Sequence, residues 1–191
     1  MSRDGSVDLD LGGETYRFRL AIGDLEALQE ETGIGAAEHL HRLYVGESAC
    51  FRHLRAILRT GLIGGGMAVP AAHAVARGLD ERPLVPLLAA ASLVIAAALE
   101  GADDEPLPHR ASKDHGPPLP DGKMPFRTFY EAAAAMHLPT ADMRAMSLWQ
   151  FAAYVAGWNR AQNPDAPDPL SDQEEDALWD YLNSPSAVEI Q

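Results

Sequence analysis

The feature that most constrains the fold is an apolar run at residues 83–99, PLVPLLAAASLVIAAAL, in which Ser92 is the only polar side chain. The run is shorter than the ~20 residues that a membrane span usually needs, and Pro83 and Pro86 lie at its start. We therefore predict no membrane span. Helices that are apolar all round also occur inside soluble folds, so we expect residues 83–99 to form a buried core helix.

The composition around this helix favours a mainly helical protein of the cytoplasm. Hydrophobic residues make up 47% of the chain and alanine is abundant, which favours helix over strand. The formal net charge of −13 opposes attraction to phosphate backbones, so we expect no nucleic-acid partner. Cys50 is the only cysteine, which excludes an internal disulfide and suits a reducing compartment. The N-terminus lacks the long apolar core of a signal peptide.

The first 102 residues predict a β-hairpin followed by a helical bundle. Residues 7–11 and 16–20 alternate apolar and polar side chains, and Gly12-Gly13 between them predicts the turn. Five helices are expected next. They are a helix capped by Asp24 and stopped by Gly33, one at roughly 35–45, one from the N-cap Ser48 to about Thr60, an Ala-rich one from Pro70 to Gly78, and 83–99.

The glycines at positions 61, 64, 65 and 66 predict a break after the third of these helices. A phosphate-binding loop is the alternative reading of this stretch, but the Lys and Ser/Thr that contact phosphate and magnesium are missing, and no strand precedes it. We therefore expect a tight turn between helices.

A change of composition predicts a second module. The stretch from Gly101 to Lys123 has five prolines and little apolar content, so we predict a linker at 103–123 between a module at 1–102 and a small helical module at 124–191. The second module has several helix-start signals. They are Pro125 as a first helical residue, Thr140 and Ser147 as N-caps, the capping box Ser147–Gln150 opening a helix at 148–161, and the box Ser171–Glu174 opening a final helix that buries Leu178, Tyr181 and Leu182.

The sequence contains no catalytic, metal-binding or cofactor-binding motif that we recognise, and we expect no enzyme activity and no cofactor. His39 and His41 would lie about 200° apart around a helix, which is unlike a zinc pair. We interpret both, and also His109 and His115, as exposed or capping side chains rather than metal ligands.

Six residues are candidates for partner binding. Three arginines recur on one face of the predicted helix at 48–60 and could dock an acidic partner, although a solvated face is the ordinary reading. Three tryptophans lie in the small second module, and tryptophan is enriched at binding hot spots. These residues are Arg52, Arg55, Arg59, Trp149, Trp158 and Trp179.

The residues also resemble a known family. The strings TYRFRLAIGDLEALQEETGIG and LRTGLIGGG, followed by the Ala/Leu helix, resemble the tail assembly chaperones of siphophage-like tails and gene transfer agents. The segment MHLPTADMRAMSLWQFAAYVAGWNRA looks like their short companion domain. Met143 stands where that domain has tryptophan, and Trp149 stands at a position that is often acidic. The residues that fit are Leu138, Pro139, Met146, Ser147 and Gly157.

This resemblance implies a temporary, non-catalytic chaperone. Several copies would coat the tape measure protein, shield its apolar surface and help to recruit tail tube subunits, and a homo-oligomer is expected. In such families the two modules can be made as a short form and a longer frameshifted form, and the linker lies where that junction would fall. Two alternatives remain open from the residues alone. One is an enzyme whose site forms only in three dimensions, and the other is a small helical regulatory binding protein, such as a nucleic-acid regulator that uses the three arginines.

Overall fold

The computed structural model describes residues 2–45, 50–102, 104–106 and 119–164. These residues form a mainly helical fold with a small N-terminal hairpin, which confirms the predicted fold class. The strands are β1 (Ser6–Asp10), β2 (Thr15–Arg19), β3 (Gly101–Ala102) and β4 (Glu105–Pro106). The helices are α1 (Ile22–Thr32), α2 (Ala36–Val45), α3 (Phe51–Gly64), α4 (Val69–Arg77), α5 (Leu84–Glu100), α6 (Phe126–Ala135), α7 (Thr140–Ala145) and α8 (Leu148–Gln162). Short 3-10 turns lie at Gly78–Glu81 and Pro120–Gly122.

The chain divides into two compact units, Met1–Gly157 and Trp158–Gln191. The first unit contains the hairpin, α1 to α7 and most of α8. Residues of both predicted modules therefore lie in it, while the predicted boundaries at 1–102, 103–123 and 124–191 stay a prediction.

The N-terminal hairpin forms as the alternation predicts. β1 and β2 are antiparallel, with Val7 opposite Phe18 and Leu9 opposite Tyr16. Gly12 and Gly13 both have positive φ in the connection, as the predicted turn requires. Phe18 is fully buried, so the hairpin contributes one face to the core rather than standing apart from it.

The apolar run forms the centre of this core. α5 packs against α2, α3 and both strands of the hairpin. Residues 94–98 in its second half are all buried. The buried residues are Leu87, Ala90, Ala91 and the continuous stretch 94–98. None of the described helices is long and apolar enough to cross a membrane.

The prediction that the glycines end α3 near Thr60 was wrong. α3 continues through Gly64, and the chain turns at Gly65 and Gly66 instead. The reason is packing: a Cβ on Gly61 would lie 3.0 Å from Val94 Cγ1 and 3.1 Å from Phe18 Cδ1. A Cβ on Gly64 would clash with the carbonyl oxygen of Arg19 and lie 2.6 Å from Asp24 Oδ2. These glycines let the hairpin and α5 approach α3 closely.

Two of the predicted helix caps were also wrong. α1 begins at Ile22, so Asp24 lies within its first turn, where its Oδ2 accepts a hydrogen bond from the Ala21 N–H at 2.9 Å. Thr140 is the first residue of α7 and not its N-cap. In both cases the helix starts earlier than the capping side chain predicted.

Other predicted signals are confirmed. Gly33 closes α1 in the left-handed conformation, with φ of 74°. The capping box before α8 forms in both directions: the Ser147 N–H donates to Gln150 Oε1 at 2.9 Å, and the Gln150 N–H donates to Ser147 Oγ at 3.1 Å. Ser48 and the box at Ser171–Glu174, with the helix predicted after it, lie outside the described residues.

The glycine contacts predict a specific stability effect. We expect Gly64→Ala to lower the free energy of unfolding by about 2 kcal/mol, because the added methyl group overpacks the contact with the hairpin backbone. Gly78→Ala is the control, since Gly78 lies directly after the end of α4 with negative φ and a Cβ there meets nothing within 4 Å. Urea denaturation followed by circular dichroism measures both. Equal stability of the two variants would contradict the packing role of Gly64.

Candidate partner-binding surfaces

The three candidate arginines do not form one free basic stripe. Arg55 pairs with Asp80, and its guanidinium lies over the Phe51 ring at 5.3 Å from the ring centroid. Arg59 pairs with Glu31 on α1. Arg52 is exposed. Two of the three predicted residues therefore bind neighbouring elements of the same unit, and Arg52 alone keeps the exposure expected of a partner contact.

The tryptophans are partly explained by packing. Trp149 is half-buried, with the Arg3 guanidinium 5.6 Å from its ring centroid and Gly101 directly beside it. Trp158 is half-buried and is the first residue of the second unit. Trp179 lies outside the described residues. The structure thus gives Trp149 a contact with the N-terminal segment and leaves the predicted partner roles of all three untested.

The prediction that His39 is exposed or a cap was wrong, whereas His41 is exposed as predicted. His39 is buried between α1 and α3, where its Nε2 lies 2.9 Å from Thr32 Oγ1 and its ring meets that of His53 edge-on at 5.3 Å. Thr32 Oγ1 also lies 2.7 Å from the Leu28 carbonyl, so it can donate there and accept from His39 Nε2 in the tautomer that carries the proton on Nε2. The described residues include no group of three or more His, Cys, Asp or Glu placed to hold a metal ion.

One face of α1 binds residues from the end of the predicted linker onward. We call this face the α1 seam and define it by Ile22, Glu26, Gln29 and Gly35, the last just beyond the helix. The Ile22 N–H donates to the Met146 carbonyl at 2.9 Å, and the Gly35 N–H donates to the Asp121 carbonyl at 3.0 Å. Polar groups at both ends of α1 are thus satisfied by residues about a hundred positions later in the chain.

Side chains add to the α1 seam between its two ends. Gln29 bonds the backbone of Met124 twice, through Oε1 at 2.7 Å and Nε2 at 3.2 Å. The Glu26 carboxylate accepts hydrogen bonds from Tyr130 Oη at 3.0 Å and forms an ion pair with Arg144 Nη1 at 2.6 Å. The Glu26 side chain is only 14% exposed, so this contact is shielded from water more than a surface ion pair is. The sequence contained no signal for it, because single polar residues at these spacings are common on solvated helices.

α5 is not apolar and buried all round, which corrects the expectation of a fully enclosed helix. Val85 is 75% exposed, Leu93 is 43% exposed, and Ala89 between them is exposed. The spacing of four residues places these three side chains on one face, which we call the α5 stripe. Tyr44 at the end of α2 is a further exposed apolar side chain, at 73%. Val85, Leu93 and Tyr44 are therefore among the large hydrophobic residues that the described part of the chain exposes.

Comparison with known proteins identifies the family. Residues 4–101 match the family described as phage tail tube protein, GTA-gp10. The chain belongs to this family. No curated protein and no solved structure matches it.

Membership in this tail tube protein family supports a role in phage-type tails, together with other tail components. The resemblance to phage and gene transfer agent tail proteins was therefore right at the level of the tail, while the family description names a tube protein and not a chaperone. The match includes the α5 stripe and the three arginines, and ends before α6, α7 and α8.

The buried histidine predicts a pH effect. Burial, strengthened by the nearby His53 and Arg42, lowers the pKa of His39 from 6.5 to about 4. Above pH ~6.5 the imidazole is neutral in both the folded and the unfolded state; between pH ~6.5 and ~4 only the unfolded state binds the proton, so stability falls as the pH falls. We expect this residue to account for a loss of up to about 3 kcal/mol across that window.

His39→Gln tests this expectation, because glutamine stays neutral and can still donate to Thr32. Urea denaturation at pH 7 and pH 4.5 should show a smaller loss of stability for this variant than for the unmodified chain. The control is His41→Gln, on the same helix but exposed, which should lose as much as the unmodified chain. The same loss in all three proteins would rule out His39 as the cause.

Proposed function

We propose that this chain is a non-catalytic assembly chaperone of phage-type tails, which binds the tape measure protein and helps to recruit tail tube subunits. The observation that carries the proposal is the α5 stripe. Apolar side chains at four-residue spacing on an exposed helix face suit the binding of an amphipathic helix, and a long helical tape measure protein would present such helices. Shielding a surface of this kind requires apolar contact and no chemistry.

The distribution of exposed apolar residues supports a temporary association. Permanent subunit interfaces are large and resemble a domain core cut in half. The large hydrophobic residues that the described part exposes are instead spread over several elements. They are Tyr44, Val45, Val69, Leu84, Val85, Leu93, Leu119 and Tyr154. In the proposed role, several copies bind weakly along one tape measure protein in the host cytoplasm and leave as the tube polymerises.

A second candidate function is that of a tail tube subunit. The description of the matched family favours it directly. A tube subunit polymerises with itself and stays in the particle, whereas the proposed chaperone binds a different protein and is absent from the finished tail. The two functions therefore differ in what the purified chain does alone.

Co-expression with the tape measure protein of the same tail tests the chaperone proposal. We expect the tape measure protein to become soluble and to co-purify with the chain. Val85→Asp should reduce the recovered complex at least about tenfold, because a carboxylate placed in an apolar contact costs more than the 1.4 kcal/mol that corresponds to this factor. The amount of tape measure protein recovered on the tagged chain is the measurement.

Val69→Asp is the matched control, since Val69 is also an exposed valine, on α4 rather than on the α5 stripe. It should leave the complex intact. A tape measure protein that stays insoluble and never co-purifies would refute the proposal. Tubes formed by the purified chain alone, seen by negative-stain electron microscopy, would establish the tube subunit instead.

A further inference from the structure

The N-terminal hairpin has two edges, and its register shows which backbone groups lie on each. The Leu11 N–H donates to the Glu14 carbonyl at 2.8 Å, in continuation of the register of β1 and β2. Hydrogen-bonded pairs alternate with non-hydrogen-bonded pairs in an antiparallel ladder. The backbone groups of Ser6, Asp8 and Asp10 therefore point away from β2, and we call these three residues the β1 edge.

The opposite edge of the hairpin, on β2, is covered by the end of α3. By the same alternation, the backbone groups of Arg17 and Arg19 point away from β1. A Cβ on Gly64 or Gly65 would clash with the carbonyl oxygens of Arg19 and Arg17, so the backbone of α3 lies directly against them. A further strand could pair with β2 only by displacing α3, which leaves the β1 edge as the place for strand addition.

The β1 edge carries unused backbone and side-chain groups. The Ser6 N–H donates to Asp4 Oδ1 at 2.9 Å, which closes one end of the edge. Asp8 and Asp10 are exposed, and between described residues no hydrogen bond or ion pair reaches the Asp8 carboxylate or its outward backbone groups. The Asp10 carboxylate accepts a hydrogen bond from the Gly13 N–H at 2.9 Å. Unpaired groups of this kind can bind an added strand through main-chain hydrogen bonds.

The two carboxylates determine which strand the β1 edge accepts. Asp8 and Asp10 are two positions apart, so their side chains lie on the same face of the hairpin. A strand paired with β1 places its own side chains opposite them, with Cβ atoms about 5 Å away. Opposite charges across such a pair stabilise the pairing, and like charges destabilise it. Pairing with the β1 edge of a second copy would bring carboxylates together, whereas lysine or arginine would be attracted.

We propose that the β1 edge binds an extended segment of another tail protein, with lysine or arginine at alternate positions, as an added antiparallel strand. The N–H and C=O of Asp8 pair with the residue opposite, and the cationic side chain of that residue lies beside the Asp8 carboxylate. The carboxylates thus select a basic partner and exclude a second copy. This binding involves the hairpin and not the α5 stripe, so it does not depend on the function proposed above.

A synthetic peptide serves as the probe for the β1 edge. It has seven residues that alternate lysine and valine, with both ends capped. In NMR titrations of the labelled full-length chain at low salt, we expect the amide proton resonances of Asp8 and Asp10 to move downfield, as new hydrogen bonds require. The amides at 94–98 of α5 should stay in place. A peptide with glutamate instead of lysine should cause no shift, and a lysine peptide that moves no β1 amide would refute the proposal.

Methylation of the peptide backbone separates strand pairing from simple charge attraction. In the antiparallel arrangement the lysines lie opposite Asp8 and Asp10 and direct their N–H groups toward β1, while the valines direct theirs away. N-methylation of the lysines should weaken binding at least about tenfold, because main-chain hydrogen bonds are lost. N-methylation of the valines keeps the same composition and charge and should leave binding intact. Equal affinity of the two methylated peptides, or tighter binding of the lysine-methylated one, would overturn the proposal.

A charge reversal on the protein tests the selection of a basic partner. Asp8→Lys should lose binding of the lysine peptide and gain binding of the glutamate peptide. Asp142→Lys is the matched control, since Asp142 is an exposed aspartate on α7, and it should bind the peptides as the unmodified chain does. Shifts of the Asp8 amide that grow with the concentration of the chain alone would place a second copy on the β1 edge and contradict a basic partner.

Discussion

The burial of α5 among the hairpin, α2 and α3 is the contact on which the rest of the structure depends. A helix this apolar is stable in water only when most of its surface is covered. Small residues allow the neighbouring elements to pack closely against α5. Alanines line much of α5, and Gly61 lets α3 approach Val94 and the ring of Phe18. The hairpin can lie on this pair of helices because Gly64 leaves room for the Arg19 carbonyl. One apolar run thus fixes the positions of the elements around it.

The α1 seam extends this arrangement beyond the residues that match the tail tube protein family. α1 packs against α3 on one side and contacts α7 on the other. Its buried residues, such as Leu25 and Leu28, face the core, while Glu26 and Gln29 bind residues after position 119. α1 therefore contacts both the core formed by residues 4–101, which match the family, and the residues that follow them. This division places the proposed tape measure contact on α5, within the residues that match the family.

The fold could be predicted from the sequence where one local rule decided the outcome. The alternation around Phe18, the αL glycine at position 33 and the reciprocal box of Ser147 and Gln150 each specify local geometry, and each was confirmed. The errors arose where tertiary contacts decided instead. Gly61 and Gly64 look like helix breakers in the sequence, but the approach of the hairpin gives them a packing role inside α3. His39 looks like a surface residue, but Thr32 and His53 surround it.

The α1 seam could not be predicted from the sequence, because it too depends on tertiary contacts. Glu26 and Tyr130 are about a hundred residues apart, and neither belongs to a motif. The account rests on the claim that residues 119–147 are part of the fold of the first unit. Amide hydrogen exchange measured by NMR tests this most directly. The claim predicts that the amides of Ile22, Gly35 and Met124, which donate across the α1 seam, exchange as slowly as those at 94–98 of α5. Exchange of these three amides at the rate of an unstructured peptide, while α5 stays protected, would contradict it.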